Sequence, residues 1–314
     1  MFCGSVLVAV SLLARSALAY TQVNFNQPIF YKNIDPLVFT GSYTRSHLHT
    51  FFGSDGVTAH TTTSSELQAG CTNGENPNDF SVYWVPTLLY KDAEGVFKPV
   101  PLSRFSAYYN LGQDPAEVPI PQNLMMLAGN AANQASGTLD PSAGIQWFCE
   151  GQDVPVGTNG FPTSTCNTHL QTLLLFPSCV NEQTLKTAYK SAGYGTPNRC
   201  PEGMKSMSQL RFSIRYDLRK ALPGGWTGEA PLKLACGNAY CSHGDFINGW
   251  TEESAITMVD TTREKRVFYP IDGTLGGYKD RPTCKPADKE PQLGTSDYDE
   301  SVKILGKRAW GSRI

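Results

Sequence analysis

The chain has 314 residues, a formal net charge of −2 and a pI of about 6.2. With 40% hydrophobic and 17% charged residues it is no disordered chain, and its charge balance excludes a nucleic-acid binder that relies on bulk basicity. Gly 29, Pro 21 and 11% aromatics favour many turns and strands over long helices.

Residues 6–14 (VLVAVSLLA) form an apolar run followed by Ala17-Leu18-Ala19. This is the pattern of a secretory signal peptide, with cleavage expected after Ala19. The run is shorter than the ~20 apolar residues that span a bilayer, and no later stretch is apolar enough to do so. Removing Cys3 with the leader leaves Cys71, Cys149, Cys166, Cys179, Cys200, Cys236, Cys241 and Cys284. An even set in an oxidising compartment predicts up to four disulfides, with the pairing open. The close pair Cys236 and Cys241 lacks the spacing of structural zinc sites.

The first cluster of reactive residues is Arg45-Ser46-His47-Leu48-His49-Thr50-Phe51-Phe52-Gly53. Residues two apart in extended chain face the same way, so His47 and His49 project together. Residues 82–90 (VYWVPTLLY) read as a strand, which Pro86 marks as an edge strand or a bulged one. A turn at 92–95 returns the chain over 96–100 as a hairpin. Residues 129–144 are small and polar, a surface loop. Residues 170–176 (LQTLLLF) form another strand, ended by Pro177, and 181–192 is the best helix candidate. Over 210–218 (LRFSIRYDL) apolar and polar residues alternate, the mark of a half-buried strand.

The second cluster is Ser242-His243-Gly244-Asp245-Phe246-Ile247-Asn248-Gly249-Trp250, where His243 and Asp245 are again two apart. Beyond about 258 the chain turns polar, with Arg263-Glu264-Lys265-Arg266 and Lys307-Arg308. The expected organisation is a signal peptide at 1–19, one β-rich domain at 20–258, and a partly disordered polar C-terminal extension at 259–314, tethered by Cys284. The expected fold class is mainly β: an antiparallel β-sandwich, jelly-roll-like, with long loops and disulfide staples.

If the two clusters converge, three imidazoles and a carboxylate meet. They would then ligate a divalent metal, move protons without metal under the orienting influence of Asp245, or form a polar network that fixes loops. Asp79, Tyr83 and Trp84 supply a second edge, since flat aromatic faces with polar tips stack on sugar rings. Glu150 and Asp153 are acids that a glycoside-cleaving site would pair with Asp245. Asp217 reads as structural, and His60 and His169 as surface or internally satisfied histidines. The G-x-S-x-G, Walker, G-x-G-x-x-G and H-E-x-x-H motifs are absent, which argues against a secreted serine hydrolase, a nucleotide enzyme or a metzincin.

Together, His47-Leu48-His49-Thr50-Phe51-Phe52-Gly53, Cys71, Tyr83-Trp84-Val85-Pro86-Thr87-Leu88, Asn123-Leu124-Met125-Met126-Leu127-Ala128-Gly129, Phe176-Pro177-Ser178-Cys179, Cys200-Pro201 and His243-Gly244-Asp245-Phe246-Ile247-Asn248-Gly249-Trp250 form an ordered series. Over about 24–255 it resembles the fungal secreted family called domain of unknown function 1996. The resemblance implies a fungal extracellular protein and transfers no settled activity. Some relatives add carbohydrate-binding modules, which points to a cell-wall role. Where the family usually shows Asp-Lys-Ser-Asn-Tyr-Trp, this chain has Asp79-Phe80-Ser81-Val82-Tyr83-Trp84. It also replaces the family's Asp-His-x-x-His segment with Ala188-Tyr189-Lys190-Ser191-Ala192-Gly193, and carries Asn130 where aspartate is common. These departures imply a divergent relative, and an inactive one if the Asp-His-x-x-His residues are catalytic.

The leading expectation is a secreted protein that acts on or binds an extracellular or cell-wall polysaccharide, as a lyase or hydrolase. His47, His49, His243 and Asp245 would be catalytic, with Arg45, Asp79, Tyr83 and Trp84 binding substrate. For a lyase, Arg45 is the cation left to neutralise a uronate carboxylate. The alternatives are a non-catalytic glycan-binding surface protein and a metal-dependent extracellular enzyme with histidine ligands. The sequence leaves the cofactor open, and it predicts neither a nucleic-acid partner nor a membrane span.

Overall fold

A computed structural model describes residues 18–110, 116–133, 138–261 and 265–311. The apolar run at 6–14 lies outside them. The first half of the chain contributes strands β1 (Leu18–Phe25), β2 (Phe30–Lys32) and β3 (His49–Gly53), helix α1 (Ser64–Gln68), then β4 (Val82–Pro86), β5 (Leu88–Lys91), β6 (Phe97–Pro99), β7 (Leu102–Tyr109) and β8 (Met125–Gly129). The second half adds β9 (Gln146–Cys149), β10 (Leu170–Leu175), β11 (Cys179–Val180), β12 (Thr187–Ala188), β13 (Lys205–Ser206), β14 (Leu210–Tyr216), helix α2 (Leu218–Ala221), β15 (Leu232–Leu234) and β16 (His243–Ile247). Helix α3 (Glu252–Thr261), β17 (Lys265–Phe268) and α4 (Tyr298–Gly311) complete it. The protein is mainly β, as the composition predicts.

A six-stranded sheet runs β17-β1-β7-β14-β10-β9 and a five-stranded sheet runs β2-β3-β4-β16-β8, with two small three-stranded sheets beside them. Among the described residues all strand pairings are antiparallel except β1 with β17. The two large sheets share one core. Val23, Phe25, Phe105 and Phe212 come from the first, and Phe52, Tyr83, Met126 and Phe246 from the second. Phe52 stacks on Phe105 with centroids 4.3 Å apart, and Tyr83 packs edge-on against Phe212 at 5.8 Å. The other face of the five-stranded sheet is also covered. Ile34, Val57, Ala59 and Leu67 close a second, smaller core over Phe51, Trp84 and Ile247.

The expected hairpin is present in part: β5 pairs with β6, and Asp92 Oδ1 accepts from the Glu94 and Val96 N–H groups in the turn, but the run 82–90 breaks at Thr87 and sends β4 into the five-stranded sheet. Residues 170–175 and 210–216 are strands as predicted. Two expectations are corrected. β4 is the central strand of its sheet, not an edge; Pro86 is tolerated because it is the last residue of β4, beyond the stretch 82–84 that pairs with β16. Residues 181–192 are no helix. A turn at Leu185, with φ of 57°, reverses the chain between β11 and β12, and the Cys179–Cys200 disulfide closes that excursion.

Four disulfides form: Cys71–Cys284, Cys149–Cys166, Cys179–Cys200 and Cys236–Cys241. The C-terminal segment, expected as a polar extension, is fastened along the body. Beyond its bridge to Cys71, Asp288 and the Glu290 carbonyl receive the ammonium of Lys32, which is only 3% exposed. Asn33 also exchanges hydrogen bonds with Thr295. Among the described residues no helix is long and apolar enough to cross a membrane.

Candidate metal centre

Alternation along β3 and β16 builds the site. Phe52 and Phe246 point into the main core, so His49, His243 and Asp245 point to the opposite face, toward the smaller core. Gly53 lets β3 come this close to β4: its φ is +97°, and a Cβ there would lie 1.8 Å from the Ser81 carbonyl oxygen. That explains the glycine of the H-x-H-x-x-x-G segment as a steric requirement.

The structure brings His47, His49, His243 and Asp245 together. The His47 and His49 rings are 4.2 Å apart, and the His47 and His243 rings 5.1 Å. His49 Nε2 and His243 Nε2 face each other at 3.2 Å, and His243 Nε2 lies 3.8 Å from Asp245 Oδ2. His49, His243 and Asp245 are buried, whereas His47 is half-buried on the side nearer solvent. The Cys236–Cys241 bridge flanks the group, with Cys236 Sγ within 4.8 Å of ring nitrogens of His47 and His243.

Hydrogen bonding fixes where the ring protons are. His49 Nδ1 lies 2.9 Å from the Ile34 carbonyl and His243 Nδ1 lies 2.8 Å from the Cys241 carbonyl. A carbonyl only accepts, so each Nδ1 carries the hydrogen and each Nε2 presents a lone pair. Burial drives all three histidines toward the neutral form. It lowers His47 and His49 well below the ordinary value, with the neighbouring rings adding to the effect, and brings His243 to about 4 against a carbonyl bond that raises it. Burial, reinforced by Asp35, pushes the Asp245 carboxyl well above the carboxylate range, and neither of its oxygens has a hydrogen-bond partner among the described residues. Two imidazole lone pairs and the Asp245 carboxyl therefore converge on one buried point.

The other expected site residues lie elsewhere. Tyr83 and Trp84 are successive residues on one strand, so they enter different cores, and both have zero exposure. They cannot wall an accessible site. Asp79 is equally buried; its carboxylate accepts from the Tyr83 hydroxyl at 2.6 Å and from the Ser81 N–H at 3.0 Å. Arg45 is exposed, its guanidinium 4.7 Å over the Phe39 ring. Glu150 bonds to Arg215 and His169, and Asp153 is exposed. His60 is exposed, as expected, and Asp217 pairs with Arg219 and Lys220.

Burial raises the Asp79 carboxyl to about 6, against bonds from Tyr83 and Ser81 that lower it. The folded state thus holds this proton more tightly than the unfolded chain, whose ordinary value is 3.8. The contribution to stability is full below 3.8 and is lost as pH rises through about 6, a fall of about 3 kcal/mol. Denaturation midpoints measured from pH 3.5 to 7 should show this decline, and Asp79→Asn should flatten it. An unchanged slope in the variant would assign the decline to other groups.

A family model described as a domain of unknown function (DUF1996) matches residues 35–250. The chain belongs to that family. The DUF1996 match contains His47, His49, His243 and Asp245 and ends before α3, while Val23, Phe25 and Ile34 of the two cores lie ahead of it. No curated protein and no solved structure matches the chain.

Proposed function

We propose that this DUF1996 chain is a secreted metal-dependent protein in which His49 Nε2, His243 Nε2 and Asp245 hold one divalent transition-metal ion. The facing of the two Nε2 lone pairs at 3.2 Å carries the reading. Metal-bound histidines typically donate their other ring N–H to a carbonyl or carboxylate, which is the arrangement both rings show here. Two imidazoles and one carboxylate suit zinc or ferrous iron and leave coordination positions open. His47, the member nearer solvent, stands where an added ligand or a proton acceptor would be needed. An ion so held would polarise a substrate oxygen or activate water.

Secretion belongs to the same reading: it follows from the apolar run and small-residue end at 6–19 and agrees with four disulfides. So does a β-sandwich built from the two sheets that share the main core. An extracellular polysaccharide remains the substrate class to assay, although the burial of Tyr83 and Trp84 removes them as its stacking platform. The deciding experiment is elemental analysis of protein purified without chelator or immobilised-metal resin. Near one equivalent of zinc or iron is expected in the wild type, and loss of that metal in His243→Asn. A metal-free wild type that also fails to take up added ion would sink the proposal.

A further inference from the structure

At one end of the six-stranded sheet, Ser103, Arg104, Glu150, His169 and Arg215 line an open cavity of about 410 Å³. None of them belongs to the metal centre. Glu150 follows β9 and His169 precedes β10, and the ladder between those strands extends one step, with the Glu150 N–H donating to the His169 carbonyl at 3.0 Å. The step sets their side chains against each other, His169 Nδ1 lying 3.2 Å from Glu150 Oε2. Arg215 on β14 clamps the other oxygen, with Nε at 3.0 Å and Nη2 at 2.6 Å from Oε1. On the far side of the imidazole, His169 Nε2 lies 3.2 Å from Ser103 Oγ.

These contacts assign direction. A carboxylate only accepts, so His169 Nδ1 carries the proton and Nε2 is free to accept from the Ser103 hydroxyl. Ser103 owes its aim to a bulge. Arg215 pairs with Arg104 but the next residue, Tyr216, pairs with Leu102, so Ser103 is the extra residue of β7. In a regular strand residues 103 and 104 would face opposite ways; here both line the cavity, as bulges beside functional sites allow.

We propose that Ser103, His169 and Glu150 are a nucleophile, base and orienting acid that hydrolyse short-chain carboxylic esters. The roles are recognised by geometry, with no elbow motif needed. Ser103 Oγ bonds to the ester carbonyl carbon as its proton passes to His169 Nε2. The carbon–oxygen bond to the alcohol then breaks, and the alcohol leaves with that proton. Water adds to the acyl carbon, giving one proton to His169, and the acyl–Oγ bond breaks as the proton returns to Ser103. The sum is ester plus water to acid plus alcohol. Arg104 supplies positive charge near the developing oxyanion, and Arg215 positions Glu150. All five lining residues are polar or charged, and no aliphatic side chain among them gives a long acyl chain a seat.

The test is hydrolysis of 4-nitrophenyl acetate and 4-nitrophenyl octanoate, together with labelling by a fluorophosphonate probe and peptide mass spectrometry. Wild type should cleave the acetate faster than the octanoate and carry the probe on Ser103. Ser103→Ala and His169→Gln should each cut acetate turnover by roughly 100-fold or more, with unchanged circular dichroism. Ser103→Ala turning over at the wild-type rate, or a probe found on another residue or on none, would overturn the proposal.

Discussion

If His49, His243 and Asp245 hold an ion, loading the chelated protein with zinc should raise the melting temperature by roughly ten degrees. An ion at a thousandfold excess over its Kd adds about 4 kcal/mol to the folded state, and for a chain of this size each kcal/mol moves the midpoint by roughly 2–4 °C. Asp245→Asn should abolish that gain. Its behaviour without metal is the sharper readout. Neither oxygen of Asp245 has a hydrogen-bond partner among the described residues, so exchanging the carboxyl for an amide breaks no bond. The chelated variant should therefore melt within a few degrees of chelated wild type. A purely structural role for the 3.8 Å approach of Asp245 to His243 predicts the reverse, because disrupting a buried polar contact typically costs about 1–3 kcal/mol whether or not metal is present. Differential scanning fluorimetry of both proteins, with and without ion, separates the two.

Replacing Cys71 and Cys284 together by serine should cost more stability than removing any other bridge. Their bond spans 213 residues, against 17, 21 and 5 for the others. By loop entropy the long bridge contributes about 5 kcal/mol and the Cys236–Cys241 bridge about 2 kcal/mol. The native C-terminal segment would not drift away, since Lys32 still reaches Asp288, Lys289 reaches Asp55 and Tyr43 reaches Glu290. The loss acts mainly through the unfolded chain. Guanidinium unfolding of the two double-serine variants is the check, and equal losses would mean that contacts at the bridges, rather than loop closure, set their value.

Legibility in the sequence followed how local each signal was. Residues 210–216 alternate cleanly because one face of β14 meets the core and the other carries Arg211 and Arg215. The hairpin at 88–99 was legible from the turn signal that Asp92 opens and Gly95 closes. Residues 82–86 misled because both faces of β4 are buried, which erases alternation and makes two core aromatics look like a sugar-binding pair. Residues 181–192 carry helix formers, but a bridge 21 residues long and two short strands fix them otherwise. The spacing of two in both histidine clusters predicted the meeting of His47, His49, His243 and Asp245. It carried no sign that a second hydrophobic cover, made by residues 34–67, would bury three of them. His169 gave no signal at all, because its partners come from positions 103 and 150.

The four bridge spans also impose a sequence of events on oxidative folding. Three of them join cysteines close enough to meet while the intervening chain is still forming local strands. The fourth waits for Cys284, which arrives only after β16 and α3 have been made. Until then Cys71 has no native mate. A chain halted before residue 284 would leave it without its mate, available to exchange with an oxidoreductase or with a second molecule. The Cys71–Cys284 bond is thus the one bridge of the four that cannot close until residues 72–283 have been made.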